Sequence, residues 1–310
     1  YVAMKNWLVS ETVVGISANT FLLLFRMFTL LQDCRPKSTD VTVCHLAFVH
    51  IGMLLSMAFL VFTNMFGSQR VQDDVTCKAL LYMARIMRGL SICTTCQLSV
   101  LQAITTSPSS SRLAKFKFIP PHDIVHFFLF TWFLNMSLCS HLLVYAVSSS
   151  NMSGCNLMFV SECCSFSLMS SIIRSMLFIL SLFREVAFVG VMLLSSAYTV
   201  ILSYRHKTRS QHLHSTRFSP RHSPEKQAAQ TILLLLSLFV LVYWVELITF
   251  SFPLILRSQH PVIWDVFRLL VNAYTTASPL VLISSDKSIA KVLQHMLDKC
   301  SKRYMFATQL

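Results

Sequence analysis

Acidic side chains are scarce in this sequence: 13 Asp and Glu stand among 310 residues, against 26 Lys and Arg. Charged residues of both signs reach 13%, where an ordinary soluble chain carries roughly 25%. With hydrophobic residues at 54%, too little charge remains to solvate a soluble domain of this length. That excludes a soluble enzyme or binding module and leaves a membrane protein. The chain opens on Tyr1 with no short apolar h-region and small-residue cleavage site behind it, so the first long apolar run is expected to be its own insertion signal. No internal repeat of the transporter kind is visible. The formal charge of +13 is not that of a nucleic-acid binder. The basic residues fall between apolar runs and form no stripe interleaved with aromatic platforms.

A spanning helix needs about 20 predominantly apolar residues. Seven segments meet that requirement: 7–31, 41–66, 75–105, 124–147, 175–204, 228–252 and 264–285. Arg184 and Glu185 interrupt the fifth. Its charge-free part, 186–204, is long enough to span, so the turns before it are expected to project outward. The expected fold is an all-α membrane protein, a seven-transmembrane-helix bundle forming a single domain over 1–310 with a tail at 286–310.

Orientation follows from Lys and Arg on alternate connections. One side holds Arg35, Lys37, Arg112, Lys115, Lys117, the cluster Arg205, Lys207, Arg209, Arg217, Arg221, Lys226, and the tail's Lys287, Lys291, Lys299, Lys302, Arg303. The other holds Lys5, Arg70, Arg174, Arg184 and Arg257. Sixteen against five places the N-terminus outside the cell and the C-terminus in the cytoplasm. The connection after Tyr204 is basic, polar and interrupted by proline, and is expected to be flexible and solvated. Its charge is available to a partner or to anionic headgroups.

Cys93 and Cys96 form a Cys-x-x-Cys inside the third run. A zinc site needs four ligands; no second Cys-x-x-Cys exists, and the strand-to-helix setting of a redox motif is missing. Small cysteines that let helices pack closely are the expectation, with no metal and no cofactor. Cys77, Cys155, Cys163 and Cys164 differ, because all face the oxidising side. A bridge from Cys77 to Cys163 or Cys164 would pin the fourth-to-fifth connection over the mouth of the bundle. Asn151-Met-Ser153 in that connection is an acceptor for N-glycosylation on the correct side. Asn135-Met-Ser137 matches the same pattern but lies inside the fourth run, out of reach.

Charges inside the hydrocarbon are costly and usually face a cavity or a partner. Arg26 in the first run is expected to snorkel toward the cytoplasmic headgroups, and His50 to be a hydrogen-bonded core residue. Arg85 and Arg88 are three apart and so share a face, about 12 and 16 Å below Cys77. Glu246 lies about 10 Å below Pro253, so Arg85 and Glu246 meet at similar depth, as an ion pair or as ligand-binding groups. Glu246 is too shallow to serve Arg88 as well as it serves Arg85, and Arg88 is expected to point into the ligand cavity. Gly89 and Ser91 beside it leave room for a ligand or for close helix packing.

Four long stretches carry a family resemblance: RPKSTDVTVCHLAFVH (35–50), CKALLYMARIMRGLSICTTCQLSVLQAIT (77–105), YRHKTRSQHLHST (204–216) and SPLVLIS (278–284). The sequence resembles the vomeronasal type-1 receptors, seven-helix pheromone receptors coupled to G proteins, over nearly its whole length. Asn19 matches the usual Asn of the first helix of such receptors. His50 stands where many seven-helix receptors carry a sodium-binding Asp. The third helix ends LQAIT without Asp-Arg-Tyr, and Ser278 and Leu282 replace the Asn and Tyr around Pro279. The family shares these substitutions, while Cys163 and Arg26 depart from its pattern. The resemblance favours Cys164 as the partner of Cys77.

What the resemblance implies is a chemosensory receptor of the plasma membrane. A small organic ligand would enter from outside between the third, fifth, sixth and seventh helices, with Arg85, Arg88 and Glu246 facing it. A helix rearrangement would then open the cytoplasmic face to a heterotrimeric G protein contacted by Arg205, Lys207 and Arg209. The other classes considered are a small-solute transporter, which should show paired broken helices, and an intramembrane enzyme. The latter needs a nucleophile with a base, or metal ligands, and His45, His50, His126 and His141 are too scattered to supply them.

Overall fold

The computed structural model describes residues 2–32, 37–66, 74–108, 111–117, 120–148, 158–159, 164–166, 170–213, 237, 239–242, 261–285 and 289. Its helices are α1 Val2–Gln32, α2 Ser38–Phe66, α3 Asp74–Thr106, α4 Pro121–Cys139, α5 His141–Tyr145, α6 Ser171–Leu213 and α7 Pro261–Ser285, with a 3-10 turn at Arg112–Phe116. Residues 239–242, within the expected sixth span, are helical; the rest of that span lies outside the described residues, Ser237 apart.

Local chemistry fixes several ends. Asp40 sits in the first turn of α2, where a carboxylate complements the helix dipole, and it accepts an ion pair from Arg26 at 2.7 Å. Arg26 therefore does not reach for headgroups as expected from sequence, because a mostly buried carboxylate on the next helix is nearer. Pro121 opens α4, where its missing N–H would have had no helical partner. The fourth run ends sooner than expected: helix breaks at Ser140, whose hydroxyl donates to the Ser137 carbonyl at 2.8 Å. Beyond α5, residues 146–148 are strand and not helix.

Three short strands, β1 Ala146–Ser148, β2 Met158–Phe159 and β3 Cys164–Phe166, form an antiparallel sheet in the order β1-β3-β2. It is a small addition to the all-α expectation. Cys164 on β3 pairs with Ser148 on β1, and β1 packs on α3.

The exterior is apolar, and polar side chains are buried among the apolar core. Thr12, Asn19, His50, Ser91, Thr94, Thr95, Asn135, Asn272 and Thr275 are buried, while Phe21, Leu24, Phe28, Phe130, Phe133, Phe183 and Leu194 are exposed. That distribution suits hydrocarbon as the solvent, where interhelical hydrogen bonds join helices and apolar side chains face lipid. Asn6–Gln32, Ser38–Phe59, His122–Val144 and Ser175–Leu202 are long and apolar enough to cross a membrane, and Leu269–Ser284 is a shorter apolar helix. Helix α3 carries Lys78, Arg85 and Arg88 and does not join that set. Contacts with α2, α4 and α6 shield it from lipid, so it needs less apolar surface.

Asn19 and Pro279 explain one another. Helix α7 runs through Pro279, whose missing N–H leaves the Thr275 carbonyl without its helical donor. The Asn19 amide donates to that carbonyl across the α1–α7 interface at 3.0 Å. Gly15, one turn earlier, lets the helices approach: a Cβ there would lie 2.5 Å from Thr276 Oγ1.

Helix α6 corrects two expectations. Arg184 and Glu185 do not project outward; they lie within the Ser175–Leu202 span and turn inward, their side chains 12% and 17% exposed. The helix also continues to Leu213, so positions 205–213 are an extension of the span and not a flexible loop.

A buried cavity and its charges

Helices α2, α3 and α7 and residues 239–242 line a cavity of about 30 Å³. That holds a water or two and falls far short of the roughly 300–1,000 Å³ typical of sites enclosing a drug-sized molecule. Its polar wall consists of Arg88, Ser91 and Tyr274, and Met53, Phe239 and Val271 are among the apolar residues that complete it. Beside Ser91 lies His50, fully buried, its Nε2 3.1 Å from Ser91 Oγ. The expected core role of His50 is what the geometry gives. The Thr95 hydroxyl donates to the Ser91 carbonyl at 2.8 Å. Its one hydrogen is thereby used, so Tyr274 donates to Thr95 Oγ1 at 3.2 Å.

Arg85 and Arg88 begin on one stripe of α3 and end in different places. Arg88 lines the cavity. Arg85 is directed toward the α4–α6 side, where the Glu185 carboxylate attracts it and Arg184 repels it. Helical positions three apart are offset by about 60°, and two long guanidinium arms amplify that offset. Arg184 Nη1 donates to Asn135 Oδ1 at 2.7 Å and its Nη2 lies 3.1 Å from Glu185 Oε1. The Asn135 amide donates to the Thr131 carbonyl at 2.7 Å and leans on Cys93 Sγ at 3.8 Å. Asn135 is fully buried, as its exclusion from glycosylation requires. Gly89 is close packing and not ligand space, since a Cβ there would run into the Asn135 amide.

Cys93 and Cys96 are both buried free thiols. Cys96 packs with Ile92, Val189, Met192, Phe239 and Tyr274. A second polar tie joins α2, α3 and α4. Trp132 Nε1 donates to His45 Nε2 at 3.0 Å, which leaves His45 Nδ1 as the N–H that donates to Thr94 Oγ1 at 3.0 Å. Phe128 stacks on the same imidazole, with ring centroids 3.9 Å apart. This arrangement needs a neutral histidine, because a second ring N–H would face the indole donor.

Sequence reasoning did not single out Tyr274, Asn135 as a polar tie, or the inward role of Arg184 and Glu185. The last two carried a signal: they are charges inside an apolar run, subject to the reasoning applied to Arg85. Tyr274 carried none beyond helical spacing from Val271. Glu246 and Asn151 lie outside the described residues, as do the side chains of Cys77, Cys164, Lys207 and Arg209.

Apolar helices with lipid-type exteriors, packed through buried polar ties, define a helical membrane protein. The model of the vomeronasal organ pheromone receptor family matches residues 2–295. Vomeronasal type-1 receptor 90 of Rattus norvegicus is 42% identical over 290 residues, 94% of this chain and 93% of that one. Vomeronasal type-1 receptor 52 of Mus musculus is 38% identical over 299 residues, 96% of each. The chain belongs to the vomeronasal type-1 receptor family. It is a multi-pass chemosensory receptor of the plasma membrane, and the family implies a seven-helix bundle.

Proposed function

We propose that the protein takes up a small organic ligand from the extracellular side, next to Arg88, and passes its occupancy to a heterotrimeric G protein on the cytoplasmic side. The supporting observation is Arg88 in the wall of an otherwise mainly apolar cavity. Such a site suits a ligand with an apolar body and one anionic or strongly accepting group. Glu246 joins Arg88 in the ligand-facing set, whereas Arg85, held in the field of Glu185 and outside the cavity wall, serves the bundle as an interhelical charge partner. Binding and release involve no covalent chemistry.

The orientation belongs to this reading. With Arg184 moved into the bundle, the basic residues divide sixteen to four, and an extracellular N-terminus and cytoplasmic C-terminus follow from that asymmetry. The seven spans then form one domain over 1–310, with 286–310 as a cytoplasmic tail. Cys77 and Cys164 are bridged outside, where β3 neighbours a strand that packs on α3, and Asn151 is glycosylated there. On the inner side Arg205, Lys207 and Arg209 ride on the helical extension of α6 and meet the G protein.

The test is a calcium or cAMP readout from surface-expressed receptor with pairs of carboxylic acids and alcohols of matched size. A charge-assisted hydrogen bond contributes roughly 1.5–3 kcal/mol, so Arg88→Ala should weaken the acids about ten- to hundredfold and the alcohols much less. Equal loss for both would make Arg88 a folding residue. Solute uptake without signalling would replace the receptor reading with a transporter.

A further inference from the structure

We infer that Tyr274 is the positioning residue that transfers occupancy of the cavity to the sixth helix, by pressing on Phe239. This rests on the reading that the Arg88 cavity is the ligand site.

Tyr274 is 3% exposed and meets three other helical segments. Its hydroxyl donates to Thr95 on α3 at 3.2 Å. Its ring stands edge-on to His50 of α2, centroids 5.5 Å apart at 81°, and to Phe239, 5.1 Å apart at 69°. The same ring is a cavity wall. A cavity of about 30 Å³ must widen to admit an organic molecule, so one wall has to move. The walls on α2, α3 and α7 are tied to one another or to α1 by hydrogen bonds: His50 to Ser91, Tyr274 to Thr95, and Asn19 to the Thr275 carbonyl. Phe239 and Val242 have no side-chain polar atom and meet the cavity through dispersion contacts alone, which are weak singly and non-directional. They are the walls that yield.

The direction of the push depends on the Tyr274 hydroxyl. Anchored to Thr95, the ring is a fixed surface, and added volume displaces Phe239. Released from Thr95, the ring swings and absorbs the volume itself. Thr95 is not part of the cavity wall, so losing its hydroxyl cuts the same anchor without touching a ligand.

A tethered probe avoids dependence on an identified ligand. Val271 is a cavity wall one turn before Tyr274. In full-length Val271→Cys receptor, the thiolate attacks benzyl methanethiosulfonate, forming a mixed disulfide and releasing methanesulfinate. The unsubstituted receptor controls for the native thiols. Three readouts are taken: labelling by mass, deuterium exchange of the segment containing 239–242, and the calcium or cAMP response. Labelling should proceed equally in Val271→Cys alone and with Tyr274→Phe or Thr95→Val added. The gain in exchange at 239–242 and the cellular response should fall about tenfold in both added variants, the factor one neutral hydrogen bond carries. Failure to label Val271→Cys would overturn the cavity reading itself. Exchange gain without a cellular response would overturn G-protein coupling and leave this inference standing. Labelling with no exchange gain, or with an undiminished gain in Thr95→Val, would overturn the inference. Should Tyr274→Phe fail to reach the membrane, Thr95→Val decides alone.

Discussion

Glu185 should be the most sensitive of the charges buried between α3, α4 and α6, and more sensitive than the arginine beside it. Among the described residues, Glu185 is the carboxylate acting on two cations: Arg184, at 3.1 Å, and Arg85 across the α3–α6 interface. Glu185→Gln leaves two guanidinium groups facing one another in a low-dielectric setting. Removing one partner of a buried ion pair destabilises by about 3–5 kcal/mol. With 17% of the Glu185 side chain exposed, partial solvation favours the lower end, about 3 kcal/mol. Arg184→Gln is different, because Glu185 keeps Arg85 and no buried charge is left unpaired. The charged bonds to Asn135 and Glu185 are lost, about 1.5 kcal/mol. At roughly 2–3 °C per kcal/mol for a chain of this size, midpoints should fall by roughly 6–9 °C and 3–5 °C respectively. Cys44, Cys93, Cys96 and Cys139 are buried free thiols, so a thiol-reactive fluorophore reports unfolding of the detergent-solubilised receptor without added labels. An equal effect of the two substitutions, or a larger one for Arg184→Gln, would refute the assignment of Glu185 as the shared counter-charge.

Two glycines should respond to alanine with opposite signs in the same assay. Gly89→Ala drives a methyl into Asn135 and should destabilise by about 1–3 kcal/mol, whereas Gly190→Ala meets nothing within 4 Å and should stabilise by about 0.5–1 kcal/mol; the same sign for both would refute the packing described. Peptide mapping without reduction should recover Cys77 crosslinked to Cys164, and recovery of both as free thiols would remove the bridge. Neutralising Arg205, Lys207 and Arg209 together should lower signalling at unchanged surface expression, because their positions extend α6 beyond the membrane; normal signalling in well-expressed receptor would place the G-protein contact elsewhere.

What the sequence disclosed and what it withheld divide along a physical line. Apolar runs were legible because a helix in hydrocarbon must satisfy its backbone internally, so each span needs its own contiguous stretch. Helix α3 was legible by that rule even though its charges and hydroxyls make it the least lipid-like. The family resemblance supplied the receptor reading, and composition alone stopped at a membrane bundle. Side-chain destinations were harder. Along the chain Arg184 and Glu185 break the fifth span; their partners lie across it, Asn135 and Arg85, in two other helices. Position along the chain likewise points Arg26 to the headgroups, whereas its partner Asp40 stands fourteen positions on, in the next helix.

The cavity shows the limit most clearly. Helical spacing put Arg85 and Arg88 on one stripe, and spacing cannot say where two flexible arms end. Arg88 finds the space left between α2 and α7, while Arg85 finds a carboxylate beside α4. The Asn19–Pro279 pair marks the opposite case. In the sequence the two stand apart, Asn19 as a match in the first helix and Pro279 as the proline of the altered motif in the seventh. Their connection is stereochemical: a proline inside a membrane helix frees the carbonyl four residues before it, and lipid offers no donor to replace the lost one. Some side chain must therefore be near Thr275, and a buried amide on a neighbouring helix is the economical solution. A sequence with an intramembrane proline thus predicts a partner it does not itself identify, and the bundle identifies it.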